Sequence, residues 1–339
     1  MQGETQMLPT IKDVARRAGV STATVSRVLN GVEVVSEDTR ARVEQAIVDL
    51  GYRYNALARS LKTQATGLLG HVVPSIAGPV APILARAVED EARKFGYNVI
   101  LCNSYESAEK ELANIDILLE RRVDGMIFTA PMLPEHLRMV RDRDVPLVII
   151  ERRAEITGYP FVEPNNYEAA RDAVRYLISL GHGRIGLILG LKNAMLTEQR
   201  RQGYEDALGN AGLPVDPDLI ADGNYGRQSG YDAMQKLLNV DPRPTAVFAA
   251  NDAMAIGAMQ AARHAGLETP RDMSFVGFDD TTAELAIPQL TTVHQPLYEI
   301  GSLASRILIA HIRGVPESYP SENILPCHLE VRESTVPAP

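Results

Sequence analysis

The sequence predicts an α/β protein in two parts, an all-α head over residues 1–63 and a two-lobed, doubly wound α/β body over residues 64–339. Three observations carry that expectation. Short amphipathic helical stretches, broken by glycine and serine signals, fill the start of the chain. From Gly67 onward, apolar runs of strand length alternate with amphipathic stretches, the pattern of parallel strands joined by helices. Charge divides at the same place: residues 1–63 carry nine Lys and Arg against seven Asp and Glu, and the rest carries 25 against 36. The net charge of −9 therefore hides a mildly basic head on an acidic body. A head that binds phosphate needs only local positive charge, because salt limits such attraction to about 10 Å.

In the head, Thr10 followed by Asp13 is a capping-box-like start. Ile11, Val14, Ala15 and Ala18 form an apolar stripe that stops at Gly19, giving a helix over 11–18. Ser21 caps a second helix in which Val25, Val28 and Leu29 point inward, while Thr22, Ala23, Ser26, Arg27 and Asn30 share the other face. Ser36 caps a third, "EDTRARVEQAIVDLGY", with Val43, Ala46, Ile47 and Leu50 apolar at helical spacing. Two short helices joined by a glycine turn and braced by a third make a helix-turn-helix, whose second helix suits a DNA major groove. The spacing alone also fits a plain three-helix bundle at a domain's edge. The small and polar outer face of the second helix favours DNA.

The stretches "TIKDVARRAGVSTATVSRVLNG", "VSEDTRARVEQAIVDLGY" and "NALARSLKT" resemble the head of the LacI/GalR family of bacterial transcription regulators, and the resemblance extends to the end of the chain. It implies a periplasmic-binding-protein-like body and a repressor that binds double-stranded, pseudo-palindromic operator DNA. It also implies that Thr22 and Ala23 read base edges, that Ser21, Thr24, Ser26 and Asn30 mainly hold phosphates, and that Arg27 meets a base or its phosphate. Thr10 joins the DNA contacts. Residues 54–63 correspond to a hinge helix that forms on the operator, with Asn55 as its cap, Ala58 against DNA and Leu61 wedged into the minor groove, kinking the duplex. Tyr54 stands where family members commonly have Pro.

The body's strand runs are "GLLGHVV", "NVILCNS", "DGMIFTA", "PLVIIE", "RIGLILG", "TAVFAAN" and "DMSFVGFD", with helices over 80–95, 106–121 and 166–180. They form two lobes divided near residue 160, with the late segments "TTVHQP" and "PLYEIGSLASRILIAHIRG" crossing back between them. Ligands of such sheets lie beyond the carboxyl ends of the strands, here between the lobes. "GHGRIG", 181–186, has the spacing of a dinucleotide fingerprint, but it ends a helix and opens a strand, the reverse of what that site requires. The histidines are scattered, His71 and His182 reading as structural. Cys102 and Cys327 form neither a metal spacing nor a disulfide framework and read as small buried thiols. No catalytic residue, metal or cofactor is therefore expected.

What remains at the strand ends suits a hydroxyl-rich ligand: Ser75, Arg200, Asn251 with Asp252, and Asp279 with Asp280, with Tyr225 able to cover a ring face. Each is equally read alone as a cap or surface charge, and Asp252 as the cap of "DAMAIGAMQAARHAG". The resemblance favours Ser75, Arg200, Tyr225, Asn251 and Asp279 as the effector site for a sugar or sugar derivative. Where the family often has an Asp-Asn pair, this chain reads "VEPNNYEAA", with Asn165 or Asn166 as replacements.

The chain's ordinary composition, 45% hydrophobic and 23% charged, and the lack of an apolar run of about 18 to 20 residues disfavour a membrane protein. "MQGETQMLPTIKD" lacks the pattern of an export signal, and the expectation is a cytoplasmic protein. "RESTVPAP" has no heptad pattern, so a homodimer is expected rather than a tail-joined tetramer. A solute receptor would explain the body alone. A body answering to a protein or a nucleobase is a further alternative, against which the 5% aromatic content without Trp argues mildly.

Overall fold

The computed structural model describes residues 9–29, 35–52, 65–151, 158–192 and 194–338. The chain divides into two compact units, Met1–Thr66 and Gly67–Pro339. In the first, α1 (Ile11–Ala18), α2 (Thr22–Leu29) and α3 (Glu37–Leu50) close on Val14, Ala15, Ala18, Val25, Val28, Val43 and Ala46. Asp13 accepts from both the backbone N–H and the hydroxyl of Thr10, at 3.0 and 2.7 Å, fixing the first turn. Gly19 ends α1 with φ 67°, a conformation glycine adopts without a Cβ clash, and Val20 N–H then reaches back to the Ala15 carbonyl at 3.0 Å. Arg17 pairs with Asp49 at 2.8 Å, joining α1 to α3. The hinge stretch, with Asn55, Ala58 and Leu61, lies outside the described residues, as does Asn30.

Among the described residues the second unit holds two six-stranded sheets. The first contains β1 (Leu68–Val73), β2 (Asn98–Asn103), β3 (Gly125–Thr129), β4 (Leu147–Ile150), β5 (Phe161–Pro164) and β11 (Glu322–Leu325), in the order β11-β5-β4-β3-β1-β2. The second contains β6 (Ile185–Leu189), β7 (Ile220–Asp222), β8 (Ala246–Ala249), β9 (Ser274–Asp279), β10 (Thr291–His294) and β12 (His328–Glu330), ordered β12-β10-β9-β8-β6-β7. All pairs are parallel except β10 with β12.

Helices cover both faces of each sheet, which is why the strands are apolar throughout rather than alternating. On the first sheet, α4 (Val80–Lys94) and α11 (Leu297–Ile312) pack with Ile127, Val148 and Val162. The opposite face packs Met126, Phe128 and Ile149 against α5 (Ala108–Glu120) and α6 (Pro134–Arg141). Around the second sheet, α7 (Asn166–Ser179) and α8 (Met195–Asn210) cover one face, and α9 (Arg227–Leu238) and α10 (Asp252–His264) the other. Gly257 lets α10 lie directly on α9; a Cβ there would collide with the Arg227 carbonyl. Among the described residues, no helix is long and apolar enough to cross a membrane.

Among the described residues the chain passes between lobes three times. The first passage is at Asn165, between β5 and α7, not near residue 160: β5 is a four-residue run ending in Pro, too short to read as a strand. The second is at Gln295 and Pro296, where "TTVH" is itself strand β10 of the second sheet and the following helix α11 packs in the first lobe. The third is at Pro326 and Cys327, between β11 and β12, short strands that continue both sheets where none was expected. The first and third passages are tied together: Asn165 N–H donates to the Leu325 carbonyl at 3.0 Å, and Cys327 N–H to Asn165 Oδ1 at 2.7 Å. Cys327 is half-buried rather than buried, whereas Cys102 is buried. Gly181, φ 90°, follows α7 and precedes β6, so "GHGRIG" is a helix stop. His182 is held between Thr245 and the Val336 carbonyl at 2.9 and 3.0 Å.

Candidate DNA-reading helix and effector cleft

In the first unit, Thr22, Ala23 and Arg27 are exposed on α2, and Thr24 and Ser26 are half-buried beside them. Burial of Val25 and Val28 on the opposite side fixes this orientation. The Ser21 hydroxyl accepts from Thr24 N–H at 3.1 Å and pairs with the Thr24 hydroxyl at 2.9 Å, so these two side chains cap the helix. A helix N-terminus presents backbone N–H groups and a positive dipole end, both suited to phosphate.

Between the lobes of the second unit lies a cavity of about 490 Å³ that brings together Ser75, Arg200, Tyr225, Asn251 and Asp279. The first lobe adds Thr129 and Glu151, and Gln295 enters from the second passage. Two larger grooves, about 900 and 740 Å³, are each lined by the second lobe alone. Except for Arg200, which lies in the second turn of α8, these groups end or follow a strand or cap a helix, at the carboxyl edges of the sheets. Glu151, Tyr225 and Asp279 have φ of 57°, 67° and 107°, strained for residues with a Cβ. Such strain persists only where the surrounding fold enforces it.

Arg200 is buried, and the protein fixes it on three sides. Nε and Nη2 donate to Asn166 Oδ1 at 3.0 and 2.9 Å, Nη1 donates to the Ala250 carbonyl, and the guanidinium sits 3.6 Å over the Phe278 ring. Asp279 Oδ1 lies 3.8 Å from Nη1 and accepts from Gln295 Nε2. Burial pushes the Asp279 carboxyl well above the usual carboxylate range, against the opposing pull of Arg200. Burial raises Glu151 likewise, again opposed by Arg200. Gln295 Oε1 is buried and has no hydrogen-bond partner among the described residues. An unpaired buried acceptor is costly, and a ligand donor would relieve it.

Tyr225 stands against Gly190, where a Cβ would collide with its ring, and its hydroxyl meets Thr197 at 2.7 Å. Burial pushes the phenol up to about 12. Asn251, not Asp252, is the N-cap of α10: its Oδ1 accepts from Met254 N–H at 2.9 Å and its Nδ2 donates to the Tyr225 carbonyl at 3.0 Å. Asn251 thus holds Tyr225 in place. Asp252 is turned inward to Thr281 N–H, Thr282 N–H and the Thr292 hydroxyl. Asp280 also points away from the cavity, to Arg332 at 2.8 Å. Of the asparagine pair, Asn165 ties the passages and Asn166 orients Arg200.

Comparison with known proteins fits this geometry. The profile of bacterial regulatory proteins of the lacI family matches residues 10–55, and that of the periplasmic binding protein-like domain matches residues 174–335. Catabolite control protein A of Priestia megaterium is 39% identical over 330 residues, spanning 96% of this chain and 99% of that protein. The chain belongs to the LacI family. It is accordingly a DNA-binding transcriptional repressor governed by an effector, in a family of regulators and not of enzymes. The lac repressor dimer bound to operator and the anti-inducer ONPF superposes with TM-score 0.87 at 30% identity, covering 97% of this chain and 99% of that one. The complex of transcriptional regulator CelR with cellobiose does so with TM-score 0.75 at 33% identity, covering 96% and 99%.

Within this LacI-family body, sequence reasoning missed Thr129, Glu151 and Gln295. Thr129 and Glu151 directly follow the apolar runs "GMIF" and "PLVII", so the strand-end rule that picks out Asn251 and Asp279 in the second lobe would, applied to the first, have found them. Gln295 follows β10, which is too short to announce itself.

Proposed function

We propose that residues 64–339 bind a sugar or sugar derivative between the lobes, and that this ligand sets the operator affinity of the head, residues 1–63. The observation that carries the reading is the cavity of about 490 Å³ in which fixed donors and acceptors from both lobes converge. Every hydroxyl of a buried sugar must find a partner, and a mixture of guanidinium, carboxyl, amide and hydroxyl groups supplies them. In this reading Arg200, Asp279 and Ser75 hold hydroxyls, Tyr225 covers a ring face and Asn251 fixes Tyr225. The cellobiose bound to CelR supports the ligand class. A ligand that bridges the lobes favours one arrangement of them, and that difference in affinity is what couples it to DNA.

On the DNA side, Thr22 and Ala23 meet base edges, Arg27 a base or phosphate, and Thr10, Ser21, Thr24, Ser26 and Asn30 contact the backbone. Asn55, Ala58 and Leu61 serve the minor groove. A homodimer presents two such heads about 34–36 Å apart to a pseudo-palindromic operator in the cytoplasm. Leu285 and Ile287, 81% and 94% exposed beside the groove of about 740 Å³, give the dimer an apolar face. The lac repressor dimer supports that assembly.

The test is operator affinity, measured by fluorescence anisotropy on a duplex selected from a random pool, with and without each of a panel of sugars at fixed salt. One sugar class should change the dissociation constant by roughly 5–150-fold, the usual range of such coupling. Tight operator binding that no sugar alters would overturn the effector assignment.

A further inference from the structure

We propose that His294 and His328 form a surface site for one transition-metal cation. This site is separate from the effector cavity and lies beside two of the passages between lobes. The two residues are directly opposed on the antiparallel pair β10 and β12, which puts their side chains on one face of the sheet. Their ring centres are 4.8 Å apart and the rings are inclined at 40°. Both are reachable from solvent, with side chains 41% and 61% exposed.

A carboxylate backs each ring. His294 Nδ1 meets Asp280 Oδ2 at 2.9 Å, and His328 Nε2 meets Glu330 Oε1 at 2.8 Å. A carboxylate accepting from one ring N–H fixes the tautomer and leaves the lone pair on the other nitrogen, here Nε2 of His294 and Nδ1 of His328. This arrangement commonly stands behind metal-bound histidines and makes the ring a better ligand. Neither of those two nitrogens has a hydrogen bond among the described residues.

Two metal–nitrogen bonds of about 2.0–2.1 Å span at most about 4.2 Å, a reach open to nitrogens on rings this close. Among the described residues no group of three or more metal-binding side chains occurs, so water completes the coordination. Around the pair stand the carboxylates Asp280 and Glu330, and among the described residues the paired cation is Arg332, 2.8 Å from Asp280 and 3.8 Å from a third carboxylate, Glu284. The local charge therefore favours a cation. Imidazole ligands select Zn²⁺, Ni²⁺ and Cu²⁺ over Mg²⁺.

The position gives the cation something to act on. His294 immediately precedes Gln295 in the second passage, and His328 immediately follows Cys327 in the third. The bonds Asp280–His294 and Asp279–Gln295 are consecutive rungs between the same two segments, and the second of them lines the effector cavity. A cation joining β10 to β12 thus braces two passages at once.

The test is Zn²⁺ titration of the metal-stripped full-length protein against a chromophoric chelator, with circular dichroism to verify folding. Wild type should bind one Zn²⁺ per chain, unaffected by excess Mg²⁺. His294→Ala and His328→Ala should each weaken binding at least about tenfold, and Glu330→Gln, which leaves both ligands in place, by roughly 10–100-fold. Cu²⁺ should bind more tightly than Zn²⁺. Equal Zn²⁺ binding by wild type and both histidine variants, or no binding by wild type, would overturn the proposal.

Discussion

The DNA-reading helix and the effector cleft are built in opposite ways. The exposed face of α2 comes from one continuous stretch, residues 21–29, and needs only two neighbouring helices to hold it. The cleft takes Ser75, Thr129, Glu151, Arg200, Tyr225, Asn251, Asp279 and Gln295 from segments scattered along the body, and Arg200, Tyr225, Asp279 and Gln295 are fixed by groups distant in sequence. A local site tolerates change one side chain at a time. A site assembled by topology is a network in which removing one member disturbs the others.

The sharpest way to break this comparison is to damage one site and read both. Asp279→Ala removes the acceptor of Gln295 and the carboxyl neighbour of Arg200. It should abolish the ligand's stabilisation of the fold, which for a ligand at 100 times its dissociation constant is about 2.7 kcal/mol by thermal unfolding. Operator affinity without ligand should stay within about threefold; its loss in a folded variant would contradict the division. Arg27→Ala should do the reverse, weakening the selected operator by about 1–3 kcal/mol in anisotropy titrations while leaving the ligand response intact.

A smaller effect separates capping from contact. Ser21→Ala removes the acceptor of Thr24 N–H and should cost the head about 1 kcal/mol of stability in chemical unfolding. Ser21→Asp, which retains a capping acceptor, should recover the stability but not the operator affinity, since it sets a negative charge against phosphate.

The smallest effect is on pH dependence. A carboxyl whose pKa is raised on folding holds its proton more tightly in the folded state than in the unfolded chain. The Asp279 contribution to stability is therefore greatest at acid pH. It declines as pH rises from the ordinary range, near 3.9, through the raised folded value. Asp279→Asn should flatten that part of the curve; an unchanged slope would show that another group carries it.

The same contrast explains what the sequence discloses. The three helices of the head are legible because caps, glycine stops and apolar stripes are local signals: Thr10 with Asp13, Gly19, and Val25 with Val28. The seven long apolar runs of the body are legible for the same reason. Strands β5, β7, β10, β11 and β12 are not, because three or four residues at a sheet edge or next to it carry no periodicity of their own. The passages between lobes hang on those strands: the second falls within the expected segment "TTVHQP", whereas the third, between β11 and β12, and the role of Gln295 are not legible. Asn251, expected among the effector-binding groups, does line the cavity, and its amide also bonds to Met254 N–H and the Tyr225 carbonyl, a local support that spacing does not announce. Nothing in sequence spacing joins His294 to His328; only the register of β10 on β12 does.

The central claim is that a sugar held by the cleft network governs this repressor. It is tested most directly by thermal unfolding of the wild type and Asp279→Ala side by side, against sugars, sugar phosphates and nucleobases. The account predicts a clear stabilisation of the wild type by one sugar class and none in the variant. Stabilisation by a nucleobase alone, or an equal shift in both proteins, would contradict it.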